Sequence, residues 1–176
     1  MEYEVPPKSR LDIRVLANRL RTFLNIQEVI CVDIVLLLER LHLHDDDFTF
    51  AVVPDDEMKG CYAETISEEN MIRVNETTYL GAINGNNRDR FTLAHELGHY
   101  LLHADEEVVK LSRKTSSGCM STPCYRKAEW QANTFAGEFL VSEHLVEGMS
   151  PLMISLKCGV SMKTAEIQHR EYAKRK

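Results

Sequence analysis

His95-Glu96-Leu97-Gly98-His99 is the segment of this chain whose residue types and spacing most directly suggest chemistry. On a helix, positions four apart stack nearly above one another, about 6 Å along the axis, so two imidazoles so placed can close on one metal ion. Glu96 then projects beside that stripe, close enough to act on a water acidified by the ion without becoming a ligand. Neutral imidazole suits Zn²⁺, and a carboxylate of ordinary basicity suits proton abstraction; this is the H-E-x-x-H logic of zinc hydrolases. The surrounding positions Phe91, Leu93, Ala94, Leu97, Leu101 and Leu102 are apolar, an environment in which two histidines and a glutamate would be costly without a partner.

A catalytic zinc needs a third protein ligand. His103 continues the stripe but stands about 12 Å along the axis from His95, too far to share the ion; its plainer role is at the helix end. A metzincin-type ligand would fall at position 105, which is Asp105, and that arrangement needs a turn glycine where this chain has Leu102. Glu129 is the better candidate: it opens a second helical segment whose Ala132, Asn133 and Ala136 are small enough for close approach to the first. Glu138 and Glu143 are rivals, but an ideal helix turns Glu138 to the side opposite Glu129. For the oxyanion donor, Tyr125, His103 and His144 stay open. Cys119 and Cys124 miss the C-x₂-C spacing of structural zinc sites and read as free loop thiols.

These groups must be positioned by a single modest domain. The chain has 176 residues, 44% apolar and 27% charged, with a formal net charge of −6. That length buries a real core. The longest apolar run, Val29 to Leu38, is broken by Asp33 and falls short of the ~20 residues of a membrane span. The first residues lack the basic flank and apolar centre of a secretory signal, and the odd count of five cysteines reads as reduced thiols in a cytoplasm. The acidic balance argues against direct nucleic-acid binding. Gly159-Val160-Ser161 with Ala165 echoes a helix-turn-helix, and the basic end Lys174-Arg175-Lys176 reads as a solvated helix terminus.

The pattern predicts a helix from Ser9 through Leu24, and a second from Val32 through Leu41. Short strands follow at Phe48–Val53, Gly60–Thr65 and Met71–Val74, in a hairpin-rich patch with turns at 54–56 and 67–70. The turn Asn84-Gly85-Asn86-Asn87 precedes a long helix over about Arg88 to His103. A Ser/Thr/Gly-rich loop over 104–123 and a helix from Arg126 to Leu140 come next, then two short helices after Ser150, the last capped by Ser161. The class is α+β, with a small three-stranded sheet packed on helices. A substrate strand could add to the sheet edge around Gly60 to Ala63.

Two stretches, Arg90-Phe91-Thr92-Leu93-Ala94-His95-Glu96-Leu97-Gly98-His99 and Glu129-Trp130-Gln131-Ala132-Asn133-Thr134-Phe135-Ala136-Gly137-Glu138-Phe139-Leu140, together resemble the ImmA/IrrE family of zinc metallopeptidases. Val5-Pro6-Pro7-Lys8-Ser9-Arg10 and Asn84-Gly85-Asn86 are similar to that family too, and the likeness covers about residues 5 to 170. Where members often read Leu-Leu-Met-Pro after the second helix, this chain has Phe139-Leu140-Val141-Ser142, a difference at the helix end. The resemblance implies a zincin-like core over 1–150, with 151–176 a short helical segment of the same compact unit. It implies metal ligands His95, His99 and Glu129, with Glu96 as base and Zn²⁺ as cofactor. It further implies a cytoplasmic protein of bacteria or mobile genetic elements that cleaves or inactivates a helix-turn-helix repressor, in some members as part of a toxin–antitoxin module. With little room before residue 5 for a DNA-binding domain, the repressor is expected as a separate polypeptide. The rival reading is a non-catalytic repressor-binding protein or toxin with a structural metal.

Overall fold

In the computed structural model the described residues are 3–58, 60–103, 109–110 and 127–174. The elements run β1 (Tyr3–Glu4), α1 (Arg10–Phe23), α2 (Ile34–Arg40), β2 (Thr49–Val53), β3 (Ala63–Ile66), β4 (Met71–Asn75), α3 (Glu76–Ile83), α4 (Asn87–His103), β5 (Val109–Lys110), α5 (Ala128–Leu140), α6 (Pro151–Cys158) and α7 (Met162–Ala173). The α+β class stands. Both predicted N-terminal helices are present, and the two helices after residue 150 are separated by Gly159-Val160-Ser161, with Gly159 left-handed at φ +62°.

Local chemistry explains the boundaries. Ser9 and Asp12 form a reciprocal cap on α1: the Ser9 hydroxyl accepts from the Asp12 N–H (3.2 Å), and the Asp12 carboxylate accepts from the Ser9 N–H (2.8 Å). Asp33 caps α2 by accepting from the Leu36 N–H at 3.1 Å. Arg21 of α1 is buried, and its guanidinium donates to the Phe139 carbonyl at 2.8 Å and to the Val29 carbonyl. Through these main-chain oxygens the Arg21 charge ties α1 to the end of α5.

The sheet differs from the expected hairpin series. Its order is β2-β4-β3, with β3 antiparallel to β4 and β2 parallel to β4. Only β3–β4 is a hairpin, turning through Asn70 at φ +49°. The segment between β2 and β3 winds through a 3₁₀ turn at Asp55–Met58 and carries the chain past β4, leaving β2 and β3 as the two edges. A two-residue antiparallel ladder joins β1 to β5. Gly60 is a turn residue at φ +85°, so the edge begins at Ala63, somewhat later than expected.

A helix absent from the sequence expectation, α3, starts where β4 stops. Asn75 is both the last residue of β4 and the cap of α3, accepting from the Thr78 N–H at 2.8 Å. One apolar core joins the layers: Ile72 and Val74 from β4, Leu93, Ala94 and Leu97 from α4, Phe135, Ala136 and Phe139 from α5, and Ile154, Val160 and Ala165 from the last helices. Among the described residues no helix is long and apolar enough to cross a membrane.

Candidate metal centre

Helix α4 starts at the Asn84–Asn86 turn, where the Asn86 side-chain oxygen accepts from the Arg88 N–H at 3.0 Å. Its apolar stripe of Leu93, Ala94, Leu97 and Leu102 is buried. That anchoring sets His95 and His99 on the adjoining, half-buried flank, with ring centroids 4.6 Å apart. Their Nε2 atoms are 3.0 Å apart. Two imidazole lone pairs aimed at one another repel, so this contact calls for a proton or a cation between them.

Helix α5 supplies the third group. Glu129 stands in its first turn, with Oε2 3.4 Å from His95 Nε2 and Oε1 3.4 Å from His99 Nε2. One donor atom from each of the three residues lies within 4.8 Å of the others. In a tetrahedral zinc site with bonds of about 2.0–2.1 Å, neighbouring ligand atoms stand about 3.3 Å apart. Edges of 3.0, 3.4 and 3.4 Å therefore fit one face of such a tetrahedron. The Glu129 side chain is 52% exposed and the imidazoles 16–18%, so solvent reaches this face.

The electrostatics agree. Hydrogen bonds from His95 and then His99 hold the Glu129 carboxyl far below the usual carboxylate range, against a smaller opposing effect of burial. For His95, burial disfavours the charged ring, yet Glu129, Glu96 and Asn133 together outweigh it and raise its pKa. The cluster is built to hold positive charge at its centre.

Close approach of the two helices makes this possible. A Cβ added at Gly98 would stand 3.1 Å from both Cα and O of Ala132 and 3.1 Å from Phe135 Cδ1. Gly98, inside the motif itself, is what lets α5 lie against α4; Ala132 and Ala136, fully buried, are the matching small residues.

Two further side chains support the centre and were not read as functional from sequence. Asn133, one turn after Glu129, places its Oδ1 3.2 Å from His95 Nδ1, while its Nδ2 donates to the Glu129 carbonyl at 2.8 Å. With the amide so oriented, His95 carries its proton on Nδ1 and turns the Nε2 lone pair inward. The i+4 spacing from Glu129 was the available signal. Thr65, on the edge strand β3, places its hydroxyl 2.8 Å from Glu96 Oε2 and 3.0 Å from the Glu96 carbonyl. Nothing local to Thr65 in the sequence marks it.

The other candidates have different surroundings. His103 is buried, its ring 5.5 Å from that of His99. Glu138 accepts from Arg10 (2.8 Å) and Arg14 (2.7 Å), and Glu143 from Arg14 (2.9 Å). His144 contacts Ser142 (Nδ1, 3.0 Å) and Glu28 (Nε2, 3.4 Å). Asp105, Tyr125, Cys119 and Cys124 lie outside the described residues.

The sequence matches the family Peptidase_M78, IrrE N-terminal-like domain, over residues 56–158. That span holds β3, α4 and α5, and with them both histidines and Glu129. A solved Mycobacterium tuberculosis transcriptional regulator is similar in fold, with a TM-score of 0.52 and 18% sequence identity over 88% of this chain. This chain spans 45% of that regulator's length. No curated protein matches the sequence.

Proposed function

Because the chain belongs to the Peptidase_M78 family, we propose that it is a zinc-dependent endopeptidase acting on a helix-turn-helix transcriptional repressor. The observation that carries this reading is the convergence of His95, His99 and Glu129 on one solvent-reached point, with Glu96 beside it under the edge strand β3. His95, His99 and Glu129 are assigned as the metal ligands and Glu96 as the catalytic base, in a zincin-like arrangement of edge strand above two ligand-bearing helices. A bound zinc supplies Lewis acidity, polarising the scissile carbonyl and lowering the pKa of water.

The rest of the chemistry belongs to the chain. Glu96 accepts a proton from the attacking water and returns it to the leaving amine. Asn133 keeps His95 in the inward-facing tautomer. Among the described residues strand β3 pairs with β4 on one side, so its outer edge could align an extended substrate segment by main-chain hydrogen bonds. The fold neighbour that is a transcriptional regulator is in keeping with a regulatory target. The repressor is taken to act in the cytoplasm, in the setting of a mobile element.

Metal analysis and cleavage test this together. Wild type and Glu96→Gln should each hold about one zinc per chain, and Glu129→Ala close to none. Co-expression with a helix-turn-helix repressor, if one is encoded beside this gene, should give cleavage in wild type only. Undiminished cleavage by Glu96→Gln would remove Glu96 from the mechanism. A repressor inactivated but uncut by both proteins would favour the non-catalytic reading.

A further inference from the structure

The edge strand β3 does more than border the cleft. Two contacts join this region to the helix: the Arg88 guanidinium lies 4.5 Å over the Tyr62 ring just before the strand, and the Thr65 hydroxyl meets Glu96 three residues on. On the helix side the two contacts are eight residues apart, a rise of about 12 Å. The two contacts therefore keep strand and helix in step along this length.

Thr65 stands at the inner of these contacts. Its hydroxyl has one proton and two oxygens in reach, Glu96 Oε2 at 2.8 Å and the Glu96 carbonyl at 3.0 Å. The carboxylate is the stronger acceptor. Glu96 is itself buried, and among the described residues Thr65 is the side chain that hydrogen-bonds its carboxylate. A buried carboxylate with one oxygen tied is restricted in rotation, and its other oxygen is left free for a proton.

We propose that Thr65 is a positioning residue for the catalytic base: its hydroxyl holds Glu96 Oε2, so that the orientation of the base is set by the strand along which substrate would lie. This rests on the peptidase reading above. Its consequence is that a segment pairing with β3 and the carboxylate that acts on it share one rigid reference.

The test uses this chain loaded with Co²⁺ and the small chelator acetohydroxamic acid, which binds as acetohydroxamate and gives up its hydroxyl proton to a nearby base as it does so. Visible absorption follows binding, and metal analysis confirms loading. Thr65→Val, which keeps shape and loses the hydroxyl, should load Co²⁺ fully yet bind acetohydroxamate about ten-fold more weakly. Thr65→Ser should restore wild-type affinity. Wild-type affinity in Thr65→Val, or a Thr65→Ser variant as weak as Thr65→Val, would overturn the proposal. A wild-type protein that takes up no Co²⁺ would instead sink the metallopeptidase reading. The Thr65–Glu96 link is then judged on metal-free protein by melting of Thr65→Val, Glu96→Ala and the double variant. Coupled shifts support it and strictly additive shifts overturn it.

Discussion

Glu129 and Glu138 are the same residue type on the same helix, nine positions apart, and their surroundings could hardly differ more. Nine steps of about 100° place them on opposite faces of α5. Glu138 has a side chain with 0% exposure and faces fixed cations: Arg14 at 2.7 Å and Arg10 at 2.8 Å, with the Tyr172 hydroxyl at 3.2 Å. Burial first, and Glu138 second, push Tyr172 well above its ordinary pKa, so the network keeps its protons where they are. Its charge is neutralised by the protein itself. Glu129 is half exposed and faces two imidazoles, groups that can offer lone pairs as readily as protons. A carboxylate already satisfied by arginines is part of the scaffold. One that converges with imidazoles can hold a cation from outside.

The widest separation between the two is expected on truncation. Glu138→Ala leaves buried Arg14 with the part-exposed Glu143 in place of its closest, fully buried partner and should cost about 3 kcal/mol in denaturant unfolding of the metal-free protein. Glu129→Ala, at a half-exposed position, should change that same stability by less than about 1 kcal/mol while abolishing zinc uptake. Equal stability losses in the two variants would erase the distinction.

A smaller effect is expected at the contact that brings the Glu129 face to the histidines. Gly98→Ala forces a methyl against the Ala132 backbone, which cannot swing aside as a side-chain tip would. We expect a loss of about 1–3 kcal/mol in unfolding and a measurable weakening of zinc binding. Unchanged zinc affinity by competition with a chromophoric chelator would show that helix spacing does not tune the centre.

Asn133 sharpens the comparison from the ligand side. Asn133→Ala should lower zinc affinity about 10- to 100-fold, and Asn133→Asp, which keeps an acceptor for His95 Nδ1, should retain most of it. Identical affinities for both variants in the same competition titration would count against the role given to Asn133.

The separation of these two glutamates was legible in the sequence, because it depends only on helical periodicity and on the small residues Ala132, Asn133 and Ala136. The i,i+4 histidines were legible for the same reason. What escaped depends on tertiary pairing. Thr65 meets Glu96 across 31 positions, and the parallel alignment of β2 with β4 is a choice of partner that no local run encodes. Helix α3 was obscured because Thr77, Thr78 and Tyr79 suit strands as well as helices, and because Asn75 ends one element while beginning the next. Gly98 was visible as a letter of the motif, but its steric purpose appears only once Ala132 lies against it.

Asn75 carries a restriction of its own. Its main-chain N–H reaches the Tyr62 carbonyl at 3.0 Å, its side-chain oxygen serves the Thr78 N–H, and its side-chain amide reaches the Cys61 carbonyl at 3.3 Å. Aspartate or serine could begin the helix as well, but neither reproduces the amide's reach to Cys61 together with that cap, and glutamine is too long to do both. Two of these three bonds are made by the side chain, and together they favour asparagine at this junction, although the position is none of those assigned to the reaction.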